Sequence, residues 1–117
     1  MTPDAFSLLR DALRRFAAER DWDQYHSPKN LASALCVEAA ELLENFQWLT
    51  DEASKSLSTE QLTKAAEEMA DVLLYLIRLA DKLNVDLLEA AGNKIALNAQ
   101  RYPADKARGT SRKYTEL

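Results

Sequence analysis

The chain has 117 residues, a formal net charge of −4 and charged side chains at 29%, which fits one folded domain and disfavours a nucleic-acid polymer as partner, since such binders carry a basic face. It holds only 2 glycines and 3 prolines beside 19 alanines, so turns are few and long helices are predicted rather than a β-sandwich. The only glycines, Gly92 and Gly109, cannot form G-x-x-x-x-G-K-[ST] or G-x-G-x-x-G, which excludes the usual phosphate-cradling loops.

Thr2-Pro3 predicts the first helix start, with proline where no amide donor is needed. Phe6, Leu9, Leu13 and Phe16 recur at helical spacing to about Arg20. Residues 21–27 read as a polar, aromatic loop. Ser27-Pro28 caps a second helix, strongly apolar from Leu31 to Leu49. Within it the single cysteine, Cys36, excludes an internal disulfide and a cysteine zinc site, and its apolar neighbours predict a buried thiol. Residues 50–57 read as a linker. Ser58 with Gln61 forms a capping-box signature for a third helix to about Leu83, and Asn84 is a left-handed stop. Asp86 and Glu89 repeat the cap for a last helix to about Arg101, which Pro103 ends. Residues 1–103 are expected to form an all-α four-helix bundle, with residues 104–117 as a polar arm. No apolar run of ~18 residues and no basic-then-apolar leader is visible, so no membrane span or signal peptide is expected, and a reducing, cytoplasmic compartment is the default reading.

Carboxylates interrupt the apolar faces. Between Leu31 and Leu43 the only charges are Glu38 and Glu41, and Glu38 falls on the stripe of Leu31, Leu35, Leu42 and Leu49. Glu41 lies about 60° around and ~4.5 Å along the axis, whereas Glu44 faces outward. The third helix repeats the pattern: Glu68 shares a stripe with Val72, Tyr75 and Leu79, and Asp71 follows on its flank. Like charges facing across a core need neutralising by a shared proton, by Arg or Lys, or by a divalent cation. Four oxygen ligands on facing helices suit Mg²⁺, or Mn²⁺, and the only histidine, His26, lies in a loop. The bland alternative leaves Glu41, Glu44 and Glu67 solvated and pairs Glu38 and Glu68 with basic residues.

On the last helix Lys94, Asn98 and Arg101 share one face, either as an ordinary basic stripe near a helix C-terminus or as donors for a triphosphate. Trp22, Tyr25, His26, Trp48 and Tyr75 supply flat surfaces on which a nucleobase could stack.

The pattern Glu38-x-x-Glu41, Glu67-Glu68-x-x-Asp71 and Lys94-x-x-x-Asn98-x-x-Arg101-Tyr102-Pro103 resembles the MazG-like, all-α nucleoside triphosphate pyrophosphohydrolases. Phe16-Ala17-Ala18-Glu19-Arg20-Asp21-Trp22, Phe46-Gln47-Trp48 and Lys113-Tyr114-Thr115 look like the dCTP pyrophosphatase branch. The resemblance covers roughly residues 6–117. It implies metal ligation by Glu38, Glu41, Glu68 and Asp71, and a role for Glu41 or Glu68 in activating water. It implies nucleoside contacts from Trp22, Asp23, Gln24, Tyr25 and His26, with Trp48 and Tyr75. It implies phosphate contacts from Lys94, Asn98 and Arg101. The chain departs from the branch at Leu13, where the branch can carry a histidine that touches substrate.

The function so implied is Mg²⁺-dependent hydrolysis of a dCTP-type deoxynucleoside triphosphate to the monophosphate and pyrophosphate, in nucleotide-pool sanitation. The rival is a non-enzymatic helical interaction module whose buried acids meet a basic partner. A carboxylate di-metal oxidase is a second rival, but it wants Glu-x-x-His pairs that neither acidic helix has. Val72, Leu73, Leu74, Leu76 and Ile77 surround the third helix, which predicts burial on every side and hence a homodimer or homotetramer.

Overall fold

Side-chain oxygens placed just before apolar runs start the helices. A computed structural model describes residues 4–117, so the expected start at Thr2-Pro3 lies outside the described residues. Helix α1 (Ala5–Glu19) is capped by Asp4, which accepts from the Ser7 amide. Helix α2 (Pro28–Glu44) is capped by Ser27, with proline in its first turn. After a four-residue helix α3 (Asp51–Ser54), the long helix α4 (Thr59–Lys82) opens with the full Ser58–Gln61 capping box. Helix α5 (Leu87–Arg101) is capped by Asp86, and α6 (Ala104–Ala107) follows. No strand occurs among the described residues, and four long helices make the fold all-α.

Two compact units divide the chain between Asn84 and Val85. In the first, α4 packs against both α2 and α1. Ala17, Leu31, Ala65, Ile77 and Ala80 form its buried core, where small residues let the helices approach closely. An ion pair ties α1 to α4: Arg14 donates to both carboxylate oxygens of Asp81, at 2.8 and 2.5 Å. In the second unit, α5 continues into α6 and a short 3-10 turn at Tyr114–Glu116. The Tyr114 ring meets Tyr102 edge-on at 5.9 Å and lies 4.8 Å from the Arg101 guanidinium. Residues 104–117, expected as an extended arm, thus carry local structure.

Other departures from expectation have physical reasons. Helix α2 ends at Glu44 rather than Leu49, because the Asn45 side-chain amide donates to the carbonyls of Glu41 and Leu42 and closes the last turn. Asp21 takes a left-handed φ of 54° that turns the chain after α1, as Asn84 does at 55° after α4. Cys36 is exposed rather than buried. Val37 and Leu43 of the same helix are exposed as well. On α4 Ile77 is buried, while Leu62, Met69 and Leu73 form an apolar stripe that a single chain leaves exposed, as the all-round apolar pattern of this helix implied.

Candidate functional site

The two acidic pairs meet. Glu38 and Glu41, one turn apart on α2, and Glu68 on α4 each offer a carboxylate oxygen, and these oxygens lie within 4.8 Å of one another. One oxygen of Glu38 and one of Glu68 are buried with no hydrogen-bond partner. An ionised oxygen in that position is costly unless a cation or a proton satisfies it. Burial, reinforced by the adjacent Glu41 carboxyl and by the charges of Asp71 and Glu68, pushes the Glu38 carboxyl up to about 7. Burial, with the charges of Glu41 and Asp71, raises Glu68 as well.

No basic side chain neutralises this cluster among the described residues. Arg78, the one basic residue between Met69 and Ala80, is buried at 6% exposure and spent elsewhere. Its NH2 group donates to Asp23 at 2.6 Å, its Nε–H to His26 Nδ1 at 3.1 Å, and its NH1 group reaches Asp81 at 3.4 Å. Pairing of Glu38 and Glu68 with Arg is therefore set aside in this unit, and the donor set left over is purely carboxylate. Hard oxygen ligands without imidazole or sulfur fit Mg²⁺ or Mn²⁺ better than zinc.

Asp71 is close enough to raise both glutamates but lies outside the three-oxygen cluster; it lines the cavity next to it. That cavity, about 380 Å³, is walled by α1 residues Leu9, Leu13 and Phe16, by Trp22 and His26 from the following loop, and by Tyr75 and Arg78 of α4. Trp22 is held edge-on to Phe16, with ring centroids 5.6 Å apart. Acidic cluster and aromatic cavity thus share one wall, at Asp71.

The remaining sequence-predicted residues have other positions. Asp23 pairs with Arg78 and Lys82 and so anchors the loop to α4. These cations hold its carboxyl below the usual range, the Lys82 hydrogen bond contributing most. Gln24 bonds within the loop to Asp21, and the Tyr25 side chain is exposed. Trp48 follows α2 at 88% exposure and does not line the cavity. Lys94, Asn98 and Arg101 are exposed on α5, in the second unit. Sequence reasoning did not assign Arg78 to the site; its isolation as a cation in an apolar stretch was the available signal.

Comparisons with known proteins bear on the family and the fold. The MazG-like family model matches residues 34–117. The chain is 50% identical to human (Homo sapiens) dCTP pyrophosphatase 1 over 111 residues, covering 93% of this chain and 65% of that protein. It is 47% identical to the dCTP pyrophosphatase 1 of Rattus norvegicus over the same shares. The chain therefore spans slightly less than two thirds of the length of these curated relatives. A crystal structure of a pyrophosphatase from Archaeoglobus fulgidus superposes with a TM-score of 0.82 at 38% identity, covering 88% of this chain and 96% of that one. With its acidic α2–α4 pair and all-α fold, the chain belongs to the MazG-like family.

Proposed function

We propose that this chain hydrolyses nucleoside triphosphates of the dCTP type between the α- and β-phosphates, releasing the deoxynucleoside monophosphate and pyrophosphate. The observation that carries this reading is the carboxylate cluster, with two buried unpartnered oxygens, set beside an aromatic cavity. The names of the relatives, dCTP pyrophosphatase 1, supply the substrate class.

Glu38, Glu41, Glu68 and Asp71 are the residues that would hold Mg²⁺ or Mn²⁺. Such a cation, when bound, neutralises charge developing on the phosphates and acidifies the attacking water. Glu41 and Glu68 are assigned to orient that water and accept its proton, as carboxylates on facing helices beside the cavity; burial raises the proton affinity of Glu68. Trp22, Tyr75 and His26 bound the space for the nucleoside, and Asp23 steadies the loop that carries Trp22 and His26. Gln24, Tyr25 and Trp48 offer exposed polar and aromatic surface for further nucleoside contacts. Lys94, Asn98 and Arg101 on α5 are assigned to the phosphates, as two cations and an amide on one face.

The exposed apolar stripe of α4 supports a homodimer or homotetramer. An exposed free Cys36 fits a reducing, cytoplasmic compartment, where removing surplus or modified deoxynucleotides would be its role.

The test is pyrophosphate release from a panel of dCTP, 5-modified dCTP, dATP, dTTP and dUTP, with and without Mg²⁺. Turnover of dCTP-type substrates only with Mg²⁺ is expected. Absence of turnover, together with no thermal shift on adding Mg²⁺ and nucleotide, would overturn the reading in favour of a helical interaction module.

A further inference from the structure

His26 lines the cavity and is the only histidine of the chain. Its Nδ1 faces the Nε–H of Arg78 at 3.1 Å. A guanidinium only donates, so the ring nitrogen opposite it carries no proton. The neutral ring must then carry its proton on Nε2. We propose that Arg78 is a positioning residue, whose Nε–H locks His26 in the Nε2–H tautomer so that the imidazole offers a donor to a carbonyl oxygen or ring nitrogen of the nucleobase in the cavity. The inference rests on the nucleotide reading above and adds to it the atom that reads the base.

Arg78 is built for this task rather than for solvent. It is buried, and its three nitrogens reach three different partners, His26, Asp23 and Asp81. Asp23 lies in the same short loop as His26, and Arg78 together with Lys82 clamps it there. Asp81 in turn is shared with Arg14 of α1. The guanidinium is thus fixed from both sides, and its orientation toward the ring is not free to relax. Burial, then the positive charges of Arg78 and Lys82, lower the proton affinity of the imidazole against the opposing pull of Asp23, which keeps the ring neutral. A neutral ring with a fixed tautomer discriminates by hydrogen bonding, where a charged one would attract any acceptor.

Because the histidine is unique, its ring nitrogens can be read directly by long-range ¹H–¹⁵N NMR of the metal-free protein. The wild type should show protonated Nε2 and bare Nδ1 at neutral pH. Arg78→Met should give a mixture of tautomers with unchanged helix content, since Asp81 keeps Arg14 and Asp23 keeps Lys82. Arg78→Lys, which retains the charge without the planar fork, should fold and also lose the lock. In turnover, Arg78→Met should raise KM for dCTP about twofold, because an equal tautomer mixture halves the population of rings that can donate from Nε2, with kcat close to the wild-type value. A wild-type ring protonated on Nδ1, or charged at neutral pH, overturns the lock. A lost tautomer with unchanged KM overturns the donor role. If the wild type turns over no nucleotide, the function reading and the donor role fall together, while the NMR result still decides the lock.

Discussion

Glu38 on α2 and Glu68 on α4 face each other with carboxylate oxygens inside a cluster 4.8 Å across, and each buries one oxygen without a partner. Two helices that would otherwise pack through leucines are held together here across a repulsive centre. Replacing either glutamate by its amide removes a charge without changing shape. Glu38→Gln and Glu68→Gln should each abolish Mg²⁺-dependent turnover and raise the metal-free melting temperature by roughly 2–5 °C. Calorimetry without metal, followed by a pyrophosphate assay, checks both halves. Unimpaired turnover in either variant removes that residue from the metal site.

Proton linkage should make the metal-free protein less stable as pH rises. The Glu38 carboxyl has its ordinary value of 4.5 in the unfolded chain and about 7 in the fold. Between those values the folded state binds more protons than the unfolded one, so stability falls with increasing pH. Glu68, raised too, adds to the fall. His26 works in the opposite direction, because its lowered proton affinity makes the fold lose stability as pH drops below 6.5. Two acids, one of them strongly shifted, outweigh that single group. A melting temperature that declines from pH 5 to 7.5, and a shallower decline in Glu38→Gln, is the expected result. Saturating Mg²⁺ should flatten the slope by binding the ionised form. A rising melting temperature over this range would contradict the assignment.

The sequence made much of this architecture legible, because its signals are local. Ser27-Pro28, Ser58 with Gln61, and Asp86 with Glu89 cap the helices where the side-chain spacing placed them. Asn84 takes the left-handed stop expected of it. Glu38 and Glu68 could be placed on inward stripes from periodicity alone, which is why their meeting was foreseeable. The end of α2 was not, since it depends on whether the Asn45 amide turns back on its own helix. The exposure of Cys36 and Met69 depends on which neighbours a helix acquires, and one chain's periodicity marks an apolar face without naming what covers it. Arg78 and Asp23 are 55 positions apart, and no sequence pattern links a buried guanidinium to a loop at that distance.

Asp81 should matter more to stability than Arg14, although they form one ion pair. The Asp81 side chain is 9% exposed and accepts from both Arg14 and Arg78, whereas Arg14 is 52% exposed. Truncating the exposed partner loses little. Removing the buried one leaves the Arg78 guanidinium short of a partner inside the protein. Asp81→Ala should lower the melting temperature by roughly 5 °C or more, and Arg14→Ala by about half as much or less. Equal losses in thermal unfolding would place the pair in solvent rather than at the α1–α4 junction.

Base stacking predicts which cavity substitutions affect affinity. Trp22 and Tyr75 line the cavity, and Trp48 does not. Trp22→Ala and Tyr75→Ala should raise KM for dCTP about tenfold or more, as expected for losing one stacking surface. Trp48→Ala should change it less within a single chain's site. Steady-state kinetics on the three variants decides this, and a larger effect at Trp48 would mean that the nucleoside lies outside the described cavity.

The apolar stripe of α4 bears on assembly. Leu62 is 55% exposed, Met69 50% and Leu73 37%, and their spacing of seven and four residues lines them along one side of the helix. A monomer would leave that stripe in water next to the buried Ile77 and Ala80 of the same helix. Burying it against a second copy gains roughly 25 cal/mol for each Å² of apolar surface removed from water, and a repeated stripe is self-complementary about a two-fold axis. A charge placed in its middle should prevent that without touching the core. Met69→Glu should therefore shift the protein from dimer or tetramer to monomer in sedimentation velocity while its far-ultraviolet spectrum is retained. Because position 69 adjoins Glu68, turnover is a poor readout there, and Leu62→Glu provides the second test at the far end of the stripe. A wild-type protein that sediments as a monomer would rule out the assembly directly.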